Sequence, residues 1–337
     1  MPQNITVSFA PHISKPLSTR RVMLDVAIGL LPAIAAAGYL FRVHALLLVA
    51  VCVAWCVAAE WVCNLIRKKP NSLGDLSAVV TGILLALSVP PALPLWAASI
   101  GAVVAIVVGK MVFGGLGANV FNPAMVGRAF LTASFGMLMT TWMVPAPIDS
   151  NLPKIAPENM VNTRTQATPL AWSKMALKDE YGAQIYNQRQ FAHTITGTVG
   201  GCLGETSSIA VLLGGIYLLL RKTISVHIPL AVLVSAFVFA GIAYLINRDA
   251  YMQPFFHLTS GGLLLGAFFI ATDPVTAPLS RRGMWLFGLG VGTITMLIRI
   301  VGEYPEGVMF SVLLMNAVTP LIDRLCKRVP AGGKPRA

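Results

Sequence analysis

Charge is what this chain has least of. Of 337 residues only 11% are Asp, Glu, Lys or Arg, against about a quarter in ordinary soluble domains. That scarcity, with 56% hydrophobic residues and a mean hydropathy of +0.74, excludes disorder, a fibrous chain and most soluble enzymes. The period-two alternation of a membrane β-barrel is missing, so any membrane crossings are helical. Cysteine is also sparse. Cys52, Cys56, Cys63, Cys202 and Cys326 form no CxxC pair, which leaves neither an iron–sulfur ligand set nor a disulfide framework; they read as small buried apolar residues. No glycine-rich dinucleotide fingerprint occurs. No basic run is interleaved with aromatics, so the net charge of +12 does not point to nucleic acid. No apolar core with a small-residue cleavage site precedes the first apolar segment, so no cleaved signal is expected.

What remains is an all-α polytopic membrane protein. A bilayer-spanning helix takes about 20 apolar residues, and apolar segments fall at about 22–41, 45–66, 75–89, 95–113, 124–144, 204–220, 224–246, 257–272, 284–301 and 307–325. The third and eighth are short, as expected of broken or tilted helices that line a site. With the N-terminus in the cytoplasm, fifteen Lys and Arg face the cytoplasm and eight face outward, five of these in one long loop; Lys110 and Arg128 lie within or beside spans and complete the 25. The positive-inside rule then places both termini in the cytoplasm. The expected organisation is a cytoplasmic segment 1–21, a five-helix unit 22–144, an outer loop 145–203, a second five-helix unit 204–325 and a basic tail 326–337. Gly82, Pro90 and Pro94 recur 184 positions later as Gly266, Pro274 and Pro278. Two units of five spans must have opposite orientation, which predicts an inverted repeat.

Three strings carry candidate chemistry. Asn162-Thr163-Arg164-Thr165-Gln166-Ala167-Thr168-Pro169-Leu170 is a hydroxyl-rich turn in the outer loop. Thr168 precedes proline and is pushed towards an extended conformation; no His or Cys in the string would activate it, and on these residues alone a plain loop turn is the simpler reading. Ser260-Gly261-Gly262 leads into Gly266 and then Ala271-Thr272-Asp273-Pro274-Val275-Thr276-Ala277-Pro278. The paired glycines permit close approach of a helix or a flat ring, while Asp273 is open to reading as a helix terminus bonded to local backbone. In Phe121-Asn122-Pro123-Ala124, Asn122 is placed to cap a helix whose first residue is Pro123.

Taken together, the strings at 121–124 and 271–278 resemble the RnfD/NqrB family of membrane subunits of ion-translocating electron-transport complexes, over nearly the whole chain. The short segment before the first span is closer to the RnfD branch. The resemblance implies FMN joined through its phosphate to a threonine by a flavin transferase, at a site similar to D-x-x-[S/T]-G-A-T. Thr165, Ala167 and Thr168 fit that pattern; Asn162 and Gln166 depart from it. Thr168 is therefore the expected attachment point, with Arg164, Lys174 or Lys178 near enough in sequence to stabilise a reduced flavin. A second flavin, such as riboflavin, is expected near Gly261, Gly262 and Asn122. The implied partners are the other membrane, flavin-carrying and iron–sulfur subunits of the complex, in a bacterial inner membrane with the flavin loop outside.

Intramembrane charge is costly and marks ion paths. The ionisable residues in or near spans are Asp25, Glu60, Asp75, Lys110, Arg128, Glu205, Asp273, Arg299, Glu303 and Asp323. Of these, Glu60 and Arg128 lie deepest. Two function classes follow: a flavin-carrying redox subunit coupled to Na+ or H+ movement, or a solute channel or transporter without redox chemistry.

Overall fold

A computed structural model describes residues 18–68, 72–143, 168–171, 200–205, 207–248, 251–302, 304 and 306–327. Every regular element among them is helical. The first is α1, Thr19–Ile66, whose N-terminus is capped by Ser18 Oγ accepting from the Arg21 amide. At Arg42 the backbone leaves the helix (φ 59°, ψ −144°). The chain reverses there: a Cβ on Gly38 would lie 3.1 Å from Leu46 Cδ2, whereas in a continuous helix eight residues span about 12 Å. The expected segments 22–41 and 45–66 are thus two arms of one hairpin.

Three more helices complete the first half: α2, Ser77–Leu87; α3, Leu95–Ile106, continued by a π turn at Val107–Met111; and α4, Pro123–Ser134. The fifth expected segment does not run on to 144 as one helix. Phe135 (φ −129°, ψ 45°) breaks it, and only the short α5, Gly136–Met139, follows. In the second half come α6, Ser208–Leu220, and α7, His227–Ile246. The eighth expected segment is also interrupted. It consists of α8, Pro254–Thr259, a break at Ser260–Gly262, and α9, Leu263–Leu265, running into a π turn at Gly266–Ile270. Then α10, Arg281–Ile300, and α11, Val308–Leu325, close the fold. Among the described residues, four helices (α1, α7, α10 and α11) are long and apolar enough to cross a membrane.

The short elements decide the architecture. With 11 residues, α2 covers about 16 Å, half of a bilayer. Its terminal carbonyls must find donors inside the protein. The amide of Gly204 donates to Leu87 O at 2.7 Å and that of Leu203 to Val89 O at 3.2 Å. Residues 203–204 therefore belong to this junction and not to a span. The sixth helix begins at Ser208, where Ser207 Oγ accepts from the Ala210 amide. Close helix contact is set by small residues: α1 and α6 meet where a Cβ on Gly214 would stand 1.9 Å from Gly29 O. All five cysteines are free, with Cys52, Cys56 and Cys202 fully buried, as expected of small apolar residues.

Candidate functional site

Two polar clusters and one cleft interrupt the apolar interior. In the first half, Glu60 on α1 and Lys110 in the π turn after α3 form an ion pair of 2.7 Å, exposed by only 0% and 1%. Lys110 Nζ also donates to Ser77 Oγ at 2.6 Å, and Ser77 Oγ in turn donates to Asp75. Ser72 Oγ donates to the second oxygen of Glu60 and accepts from Asn64 Nδ2 at 2.9 Å. A buried ammonium and carboxylate are tolerable only with their remaining bonds filled in this way.

Beside this network lies a narrow cleft of about 50 Å3, lined in part by Ser77, Lys110, Asn119, Asn122, Thr272 and Asp273. Asn122 caps α4 as its sequence suggested: Oδ1 accepts from the amides of Ala124 (3.1 Å) and Met125 (3.3 Å). Its Nδ2 donates to Ile270 O, and its own amide donates to Asn316 Oδ1, so one residue joins the two halves. Asp273 is a helix-terminus acceptor, taking bonds from Val275 N and Thr276 Oγ1. Asn119 Oδ1 is buried and makes no hydrogen bond among the described residues.

The second cluster surrounds the break in the eighth segment. Arg299 of α10 donates to His257 O (2.6 Å) and Ser260 O (3.0 Å), answering carbonyls at the end of α8. Arg128 of α4 pairs with Glu306 and stands 3.8 Å from Glu205. Gly262 N donates to Glu306 Oε1 at 2.7 Å, and Cys202 N to Glu205 Oε2 at 3.3 Å.

The segment carrying Thr168 meets this cluster through Leu170. Thr168 is 6% exposed, and its Oγ1 accepts from the Ala171 amide at 3.1 Å, at the start of the helical residues 169–171. Leu170 packs with Met252 and Phe256. It also fills the space over Gly261: a Cβ there would lie 2.6 Å from Leu170 Cδ1 and 2.8 Å from Arg299 Nη2. At Gly262 a Cβ would meet Glu306 at 2.4 Å and Glu205 at 3.2 Å. The glycine pair thus admits a leucine and two carboxylates.

The structure does not gather all the expected site residues. Gly261 meets Leu170, two residues from Thr168, and Gly262 follows it against Glu205 and Glu306. Asn122 is bonded to Ile270, eight residues and about 12 Å of helix from Gly262, and belongs to the cleft instead. Asn162, Thr163, Arg164, Thr165, Gln166, Lys174, Lys178 and Glu303 lie outside the described residues. Glu306 was not among the expected ionisable residues; its only local sign is a carboxylate in the short linker before Gly307.

An all-helical membrane protein with interrupted helices and buried charge at the interruptions is the class this fold defines. Residues 6–332 match the NQR2, RnfD, RnfE family, and the chain belongs to it. It is 44% identical to a subunit of the Na(+)-translocating ferredoxin:NAD(+) oxidoreductase complex of Acetobacterium woodii, over 96% of this chain and 94% of that one. To a subunit of the proton-translocating ferredoxin:NAD(+) oxidoreductase complex of Clostridium ljungdahlii it is 38% identical, over 97% and 96%. To a subunit of the ion-translocating oxidoreductase complex of Stutzerimonas stutzeri it is 42% identical, over 92% and 91%.

Proposed function

We propose that this chain is the flavin-carrying membrane subunit of an ion-translocating ferredoxin:NAD oxidoreductase complex, relaying electrons and contributing to coupled Na+ or H+ movement. It works with the complex's other membrane, flavin-carrying and iron–sulfur subunits, in a bacterial inner membrane with both termini cytoplasmic and the Thr168 loop outside. FMN is joined to Thr168 through its phosphate by a flavin transferase. The observation that carries this reading is the docking of Thr168. Its hydroxyl oxygen accepts from the Ala171 amide, so replacing the hydroxyl hydrogen by phosphorus leaves that bond's donor and acceptor in place. Leu170 holds the segment on the break between α8 and α9.

Bound there, the flavin supplies one- and two-electron chemistry. The chain's own contribution is position: a buried anchor at Leu170 and fixed charges at Arg128, Arg299 and Glu306. We place a second flavin, of the riboflavin type, beside Asn122, where the cleft of about 50 Å3 must widen to admit it. Its support is the buried Asn119 Oδ1, unpartnered among the described residues, which would accept from a ring N–H. The relatives divide between Na+ and H+ in their names, so kinship leaves the coupling ion open.

The test is the purified chain in a denaturing gel under ultraviolet light, with its intact mass. The wild-type band should fluoresce and carry the mass of one FMN phosphoester; Thr168→Ala should be dark at an equal amount in the membrane. A fluorescent Thr168→Ala band would move the attachment elsewhere. A dark wild-type band would favour the solute-channel reading.

A further inference from the structure

The two carboxylates of the outer cluster are served unequally. Both oxygens of Glu306 are occupied, Oε1 by the Gly262 amide and Oε2 by Arg128. Glu205 receives the Cys202 amide at Oε2, but its Oε1 is buried with no hydrogen-bond partner among the described residues. Arg128 Nη2 stands 3.8 Å from it, and the side chain is 7% exposed. A bare carboxylate oxygen shut away from water is strongly disfavoured. A proton on Oε1 removes the charge and makes that atom a donor. The neighbouring carboxylate is Glu306, with ligand atoms of Cys202, Glu205 and Glu306 all within 4.8 Å of one another. A metal ion in the same place would stand beside the Arg128 guanidinium and be repelled by it; a neutralising proton is not.

The groups facing Glu205 are Arg128 from α4, Arg299 from α10, and Cys202 and Glu306 from the two loops. On the adjoining break, Ser260 Oγ and His257 Nδ1 are also buried without a partner among the described residues. Gly261 and Gly262 connect this cluster to the Thr168 segment: Leu170 covers the first glycine, and Glu205 and Glu306 cover the second.

We propose that Glu205 holds a proton at Oε1 against Glu306 and exchanges it with the flavin borne by Thr168. As one electron reaches the ring from a partner redox subunit, one proton leaves Glu205 for the ring. The carboxylate left behind is balanced by Arg128. Reoxidation passes the electron on and returns the proton. The exchange rests on the assignment of the flavin to Thr168; the protonation of Glu205 does not.

The experiment uses the whole complex carrying Glu205→Gln or Glu205→Asp. Infrared spectra in H2O and D2O read protonated carboxyl groups, and redox titration against pH reads the flavin. Wild type should show a carboxylic C=O band that shifts in D2O, vanishes in Glu205→Gln and is displaced in Glu205→Asp. The flavin potential should fall with rising pH in wild type and less steeply in Glu205→Gln. A band unchanged in Glu205→Gln overturns the proposal, as does a potential that follows sodium concentration instead of pH. Where Glu205→Gln fails to assemble, Glu205→Asp decides: a displaced band supports the assignment and an unmoved one rejects it. A dark wild-type gel band would sink the flavin assignment alone, because the infrared band still reports the proton on Glu205.

Discussion

Lys110 Nζ and Glu60 Oε2, fifty residues apart in sequence, meet at 2.7 Å where neither side chain reaches solvent. Removing one partner strands the other as an uncompensated buried charge. Lys110→Met should therefore cost about 3–5 kcal/mol. Adding Glu60→Gln should recover much of that loss, because the stranded charge is then gone. Thermal unfolding of the detergent-solubilised complex reads both. A Lys110→Met single variant as stable as wild type would mean the pair contributes nothing.

Gly214 is the second place where a small change should be felt. A methyl group there would penetrate the Gly29 carbonyl at 1.9 Å, forcing α1 and α6 apart. Overpacking of this kind costs about 1–3 kcal/mol. Gly74 has nothing within 4 Å of its Cβ direction, so Gly74→Ala is the matched control. The melting temperature should drop for Gly214→Ala and hold for Gly74→Ala.

At Gly261 two effects add. Its φ of +70° is a conformation that side chains rarely adopt, and a Cβ would collide with Leu170 and Arg299. Gly261→Ala should undock the Thr168 segment. Limited proteolysis near 168–171 should then accelerate, while the amount of protein in the membrane falls less than for Gly214→Ala. Unchanged cleavage would show that the segment does not depend on this glycine.

Sidedness has its own test. Val43, exposed beside the Arg42 reversal, and Lys68, exposed at the far end of the same hairpin, should lie on opposite faces of the membrane. An impermeant thiol reagent applied from outside should label Val43→Cys and spare Lys68→Cys. The reverse pattern would invert the topology drawn from the charge count.

How much of this was legible depends on the range of the interaction. The segments 227–246, 281–300 and 308–325 are uninterrupted apolar runs, and sequence periodicity locates them within a few residues. The Asn122–Pro123 cap is a local signal and reads directly. Ser260-Gly261-Gly262 also signalled something, but as close approach; that the helix actually breaks there depends on Arg299 taking the freed carbonyls, which no local pattern states. Glu306 went unnoticed because its partner Arg128 is 178 residues away and its own surroundings are an ordinary linker. Lys110 was visible as a charge near a span, but its pairing with Glu60 was not. Charge pairing across a bundle leaves no periodicity behind it.

The bonds from Leu203 and Gly204 to the end of α2 have a consequence for biogenesis. When α2 first leaves the ribosome and enters the bilayer, the carbonyls of Leu87 and Val89 have no donors, and the amides that will serve them have not yet been made. They arrive only after the long segment that follows α5 has been translated. Until then the nascent first half carries polar backbone in a hydrocarbon environment, where each unmet group costs several kcal/mol. The first five segments are therefore an incomplete object by themselves, held by the insertion machinery or open to quality-control proteases until residues 203–204 thread back to the junction. The two halves of this chain mature as one unit, in the order in which the ribosome delivers them.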